Sequence, residues 1–185
     1  MLIQAHYMRR SLEETRRATD AARETYVSAN RPQLALRWMW TPDDFGNMKL
    51  NGHFWLFNTG ETVAILKQSY SDVIVSDHLP ARAPYEDKAG RPFADAELRP
   101  GQSIRVEFPT VRGAITRSEY ITLRNCREAA RSGKDAPDHL YVIGWIEYID
   151  EAKQQRRMGF CRRYNFRLEV FEREPHPDYE YGDQG

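Results

Sequence analysis

A chain of 185 residues with 27 Lys+Arg against 27 Asp+Glu has no net charge, which removes any overall electrostatic case for nucleic acid or anionic lipid as a partner. Hydrophobic residues at 41% and aromatics at 12% suffice for a real core, so global disorder is excluded. No stretch approaches the roughly 20 apolar residues that span a bilayer, and the start lacks the apolar segment of a secretory signal. As written the chain reads as cytoplasmic, one ordinary domain with an appendage.

Residues 1–30 predict a long charged helix and a candidate coiled-coil stalk. Met8, Leu12, Thr15, Thr19, Ala22 and Tyr26 recur at three- and four-residue steps, while Glu13 with Arg17 and Asp20 with Arg23 support an exposed helix. The rod would be roughly 40 Å long. Its apolar stripe is too thin for a globular core. It fits either a solvated helix, packed or unpacked on the domain, or a stalk awaiting a partner helix.

From Pro32 the period becomes two. Leu34, Leu36, Trp38 and Trp40 alternate within 32–40, residues 41–47 form a turn, and 50–57 form a second strand. Asn58-Thr59-Gly60 reads as a tight turn, because Asn and Gly tolerate positive φ. A third run covers 62–76, with a break or bulge near Lys67–Ser71. Residues 77–100 hold four of the ten prolines and predict a surface excursion. Pro100-Gly101 opens a strand in which Ile104, Val106 and Phe108 alternate. Ser118 to about Ser132 suits a short helix, ended by the Gly133–Pro137 stretch. Runs 139–150 and 156–172 form an antiparallel hairpin, and 173–185 is a polar, acidic, loose tail. The fold class expected is mainly β: an immunoglobulin-like antiparallel β-sandwich over 31–172, with the N-terminal α-helix and one short inserted helix.

The last hairpin, Gly144-Trp145-Ile146-Glu147-Tyr148-Ile149-Asp150 followed by Phe160-Cys161-Arg162-Arg163-Tyr164, resembles a pattern in a large set of uncharacterised bacterial proteins. There a strand ending G-x-I-x-Y-x-D returns through F-C-x-x-Y. The charged helix running into the first strand fits too, as does Asn58-Thr59-Gly60 before Thr62-Val63-Ala64, with Val63 where that family has Pro. The resemblance implies a β-sandwich behind a charged helix that commonly follows a membrane anchor. No chemistry comes with it, since these are packing and turn motifs. The departures here are the missing transmembrane segment before Met1 and the missing Phe-Gly in the turn 150–156. The alternative it raises is a membrane-associated accessory domain whose anchor is absent from this chain.

The sequence offers few groups arranged for chemistry. Cys126 and Cys161 form no CxxC or zinc pattern and read as reduced thiols. Cys161 lies mid-strand, where a nucleophile is not presented. Asp178, Glu180 and Asp183 beside His176 read as a solvated acidic tail rather than a calcium site. No phosphate-loop, dinucleotide or nucleophile-elbow motif occurs. The expectation is therefore no enzyme, no catalytic residues, no metal and no cofactor. Local charge is uneven, with Lys153, Arg156, Arg157, Arg162, Arg163 and Arg167 before an acidic tail. An RNA or phospholipid contact would use the interleaved Phe160, Tyr164 and Phe166. The favoured reading has Met158, Phe160, Tyr164, Phe166, Leu168 and Val170 facing the core, with tail acids neutralising the arginines outside. Arg162 shares the core parity, so it must be paired, snorkelled to the rim or bulged. Trp145, Arg163 and Arg167 are the candidate interface residues, provided the hairpin's aromatic face is exposed. The sequence thus points to a non-enzymatic binding or scaffolding module that associates with itself or with a protein partner.

Overall fold

In a computed structural model of the protein, the residues described are 2–29, 31–40, 51–85, 88–94, 96–109, 116–136 and 138–182. The expected turn 41–47 and the side chains of Trp38, Trp40 and Phe108 lie outside what is described. The elements in chain order are α1 (Leu2–Ala29), β1 (Leu34–Trp40), β2 (Asn51–Asn58), β3 (Ala64–Ser76), β4 (Arg91–Pro92) and β5 (Glu97–Leu98). They continue with β6 (Ser103–Pro109), α2 (Arg117–Arg131), β7 (His139–Ile149), β8 (Gln155–Asn165) and β9 (Val170–Arg173). None of the described helices is long and apolar enough to cross a membrane.

The strands form two sheets with antiparallel pairing throughout: β1-β2-β6, and β4-β3-β7-β8-β9 with β5 also beside β3. They lie face to face in a sandwich-like arrangement. Phe54, Leu56 and Val106 of the smaller sheet meet Leu66, Val142, Ile146, Met158 and Phe160 of the larger one in a single core. Leu140 shares a face with Val142 by strand alternation, and it is covered instead by Leu123 and Cys126 of α2. One face of the larger sheet is thus roofed by a sheet at one end and a helix at the other.

The opposite face is buried as well. Tyr141, Ile143 and Trp145 of β7, with Tyr70 and Cys161, lie beneath Ala83, Tyr85 and Tyr179. A bulge makes this possible on β3. The β3–β7 register shifts between Leu66 and Gln68, so Leu66 and Tyr70, although separated by an even number of residues, enter opposite cores. The bulge falls where the polar interruption Lys67–Ser71 predicts it.

Several details differ from the sequence reading. Residues 156–172 are not one strand. The Asn165 side-chain oxygen accepts from the Arg167 and Leu168 amides at 3.0 and 3.1 Å, Glu169 takes a φ of 54°, and the chain reverses. Leu168 and Val170 are consequently exposed, Leu168 by 61%, instead of facing the core. Residues 77–100 are not only a surface excursion, because Ala83 and Tyr85 are buried and β4 and β5 extend the larger sheet. The tail is not loose: the Tyr179 hydroxyl donates to the Pro80 carbonyl at 2.8 Å and lies 3.0 Å from that of Arg82, so tail and excursion hold each other down.

The Asn58-Thr59-Gly60 turn also works differently. Positive φ among the described residues occurs at Lys153, Glu169, Gly101 and Gly133, not here. The Asn58 side-chain amide instead donates to the carbonyls of Thr62 and Leu98 at 2.7 and 2.8 Å, and its oxygen accepts from the Gly60 amide at 3.0 Å, tying the end of β2 to β5 and to the segment that leads into β3. Gly60 is required because a Cβ there would overlap the main chain of Arg31–Gln33. The inserted helix begins one residue before the expected position, at a capping box in which Thr116 and Glu119 satisfy each other's amides.

Gly144 sits at the most crowded point of β7, where a Cβ would overlap the Tyr70 carbonyl oxygen and the Phe160 ring. Gly144→Ala should lower stability by about 2 kcal/mol or more in urea unfolding. Gly182→Ala, whose Cβ would meet nothing, should leave the midpoint unchanged.

Candidate functional site

The three candidate interface residues do not form one surface. Trp145 lies on the outer face of β7 as its alternation with Tyr141 and Ile143 predicts, but only 1% of it is exposed. Tyr70 stacks on it at 6.2 Å with the rings 18° apart, and the Arg157 guanidinium carbon sits 4.3 Å from its ring centre. The hairpin's aromatic face is therefore occupied by the chain's own excursion and tail. Arg157 is held over the indole by Glu147, which accepts from its Nε at 2.9 Å and also takes hydrogen bonds from Gln68 and Gln155.

Arg163 and Arg167 come closer to each other. Both line a shallow depression of about 260 Å³ between the end of α2 and the β8–β9 turn, together with Lys134 and His139. Arg163 is ion-paired with Glu174 at 3.3 Å, and Glu172 and Asp135 share the same depression. Its charge is compensated by the tail, so it makes a weak anion site.

A charge assembly lies on the other side of β8, around a residue expected from the sequence to sit in a solvated tail. Glu180 accepts from the Cys161 amide at 2.8 Å, from Arg162 Nη1 at 2.6 Å and from Arg173 Nε at 2.8 Å. Arg162, on the core parity, escapes the core by turning to this carboxylate at the sheet edge. The β8 edge beyond β9 is thereby sealed, since the Gly159 amide also donates to the Tyr181 carbonyl at 3.0 Å. The signal for this was the pairing of a misplaced arginine with an acid of the tail, which periodicity alone does not locate.

Beside this assembly opens a groove of about 520 Å³ between the facing edges of the two sheets. Leu34, Leu36 and Met158 supply apolar lining, and Arg31, Arg162 and Arg173 line its walls with the carboxylate of Glu180, Arg31 also bordering a second depression that holds Asp150 and Glu151. Arg31 has no ion-pair partner among the described residues.

Neither thiol is poised for chemistry. Cys126 and Cys161 are both free and buried. Burial, with Glu174 and Glu180 nearby, pushes the Cys161 thiol up to about 12, and burial also raises Cys126. Among the described residues no group of three or more His, Cys, Asp or Glu is arranged to hold a metal ion. Asp183, named in the tail cluster, lies outside the described residues, and Glu180 is engaged by two arginines.

Two measurements follow. A chromogenic disulfide reagent should find no reactive thiol in the native chain and two per chain after denaturation without reductant. Burial acts to raise the Glu147 carboxyl, but the hydrogen bonds from Gln68 and Arg157 outweigh it and hold the group below its ordinary value. With a depressed folded-state value, its stabilising contribution is complete above about pH 4.3 and is lost as the pH falls through the folded value. Glu147→Gln should therefore cost stability at pH 7 and flatten the loss of stability on acidification, as read by urea midpoints between pH 7 and pH 3.

Comparison with protein-family models, with curated proteins and with solved structures found no match in any of the three. The resemblance noted for the hairpin and the Asn58–Gly60 turn stands on those motifs alone.

Proposed function

We propose that this protein is a non-enzymatic scaffolding module that associates with copies of itself through α1, carried on an immunoglobulin-like β-sandwich. The observation that carries this reading is the exposed stripe of α1. Met8 and Leu12 are each 68% exposed, and the α1 residues whose burial is described from Met8 to Arg23 are exposed. Met8, Leu12, Thr15, Thr19, Ala22 and Tyr26 follow the alternating four- and three-residue spacing of a coiled-coil seam.

Two of the polar members of that seam have satisfied hydroxyls. Thr15 donates to the Ser11 carbonyl at 2.8 Å and Thr19 to that of Thr15 at 2.9 Å, which turns hydrogen-bonded oxygen inward along the helix. A helix that exposes its apolar residues, as α1 does at Met8 and Leu12, is marginal in water, and an Arg10–Glu14 pair adds only about 0.3 to 0.5 kcal/mol. Burying residues such as Met8 and Leu12 against a second helix contributes about 1.5 to 3 kcal/mol each. The immunoglobulin-like part of the reading is supported by antiparallel pairing throughout and by a chain that passes between sheets after β2, β5 and β6. The absence of an enzymatic role is supported by the buried, high-pKa thiols and by a charge assembly in which acids and arginines are engaged with each other.

Light-scattering mass of the full chain over a concentration series tests it. The chain should weigh more than one copy and gain mass with concentration, and Met8→Asp with Leu12→Asp should return it to one copy without shifting the urea midpoint of the sandwich. A full chain that stays a monomer at every concentration would sink the self-association reading.

A further inference from the structure

We infer that the groove between the β1 edge and the Glu180 assembly binds an extended acidic peptide segment, which would add to β1 as a further strand. The site is separate from α1 and goes beyond the self-association reading. Three observations converge on it. The first is open backbone. β1 is the edge of its sheet, and among the described residues no hydrogen bond reaches Leu34–Arg37 from any segment but β2. In an antiparallel ladder alternate residues of an edge strand turn their N–H and C=O away from the neighbour, so part of this run faces outward.

The second is lining. Leu34, Leu36 and Met158 give the groove an apolar part against which alternate side chains of an incoming strand can pack. The third is charge. Arg31, Arg162 and Arg173 line the groove, and Glu180 answers only the last two. Arg31 is left to recognise an anion, and an arginine fork suits a carboxylate. The apolar lining, beside the strand edge and the cations, favours a peptide of alternating acidic and apolar side chains over a small inorganic anion. A groove of about 520 Å³ lies within the size range of ligand sites.

The test uses the full chain and a fluorescein-labelled peptide alternating Glu and Val, read by anisotropy. Binding should saturate. It should weaken about tenfold or more when Glu is replaced by Gln, when alternate peptide nitrogens are methylated, and in Arg31→Ala, as expected for loss of a charge-assisted bond or of strand pairing. Among the described residues Arg31 has no ion-pair partner, so Arg31→Ala should fold, and an unchanged urea midpoint checks this. The N-methylated peptide tests strand addition without altering the protein at all. The Met8→Asp, Leu12→Asp chain should bind the peptide as tightly as the unaltered one, which separates this site from α1. No saturable binding, equal binding of the Gln peptide, or displacement by millimolar inorganic phosphate with no effect of N-methylation would overturn the proposal.

Discussion

β7 is buried on both faces, and most of the architecture answers that one condition. An antiparallel sheet commonly leaves one face to water, and alternation of apolar and polar residues records it. From Leu140 to Tyr148 β7 has no such alternation, since every residue in the run is buried. Each face then needs its own cover. The smaller sheet and α2 supply one, and the 79–85 segment with the tail supplies the other. Gly144 removes the side chain where Phe160 and the neighbouring β3 carbonyl crowd the strand.

Covering both faces brings charge inward, and the structure handles it by pairing. Asp150 and Arg156, with side chains 2% and 7% exposed, bond at 2.8 Å and close the β7–β8 turn, where Asp150 also accepts from the Gln154 amide. Removing one member of such a pair strands the other and costs about 3 to 5 kcal/mol, although the pair itself adds little over apolar substitutes. Glu147 with Arg157 does the same at the rim of the second core, and Glu180 with Arg162 does it at the β8 edge. The acidic tail is therefore structural. Its carboxylates neutralise the arginines of β8 and β9, and its backbone shields an edge that would otherwise invite another strand.

This internal economy of charge shapes what remains for recognition. The aromatic face around Trp145 and the cation Arg163 are both engaged by the chain itself. Among the described residues, Met8 and Leu12 of α1 remain exposed, the β1 edge has no second strand partner, and Arg31 has no ion-pair partner.

Local pattern made much of the fold legible. The four-and-three spacing of α1, the period of two from Leu34, the polar break at Lys67 and the hairpin of β7 and β8 each arise from contacts within a few residues or across one turn. The Asn165 reversal was legible in principle too, as an Asn able to cap its own turn, but a run of alternating apolar residues through Val170 masked it. The capping box at Thr116 was likewise present in the letters. By itself, then, the amino-acid order determined the elements, their period and the antiparallel hairpin, because those depend on backbone sterics and nearest neighbours. Only the tertiary structure decided that Tyr85 and Tyr179 cover Trp145, that Glu180 finds Arg162, and that Gly60 yields to the chain at Pro32. Those contacts join segments well separated in sequence, from 18 residues apart upward, and no local period encodes which distant segment will pack on which face.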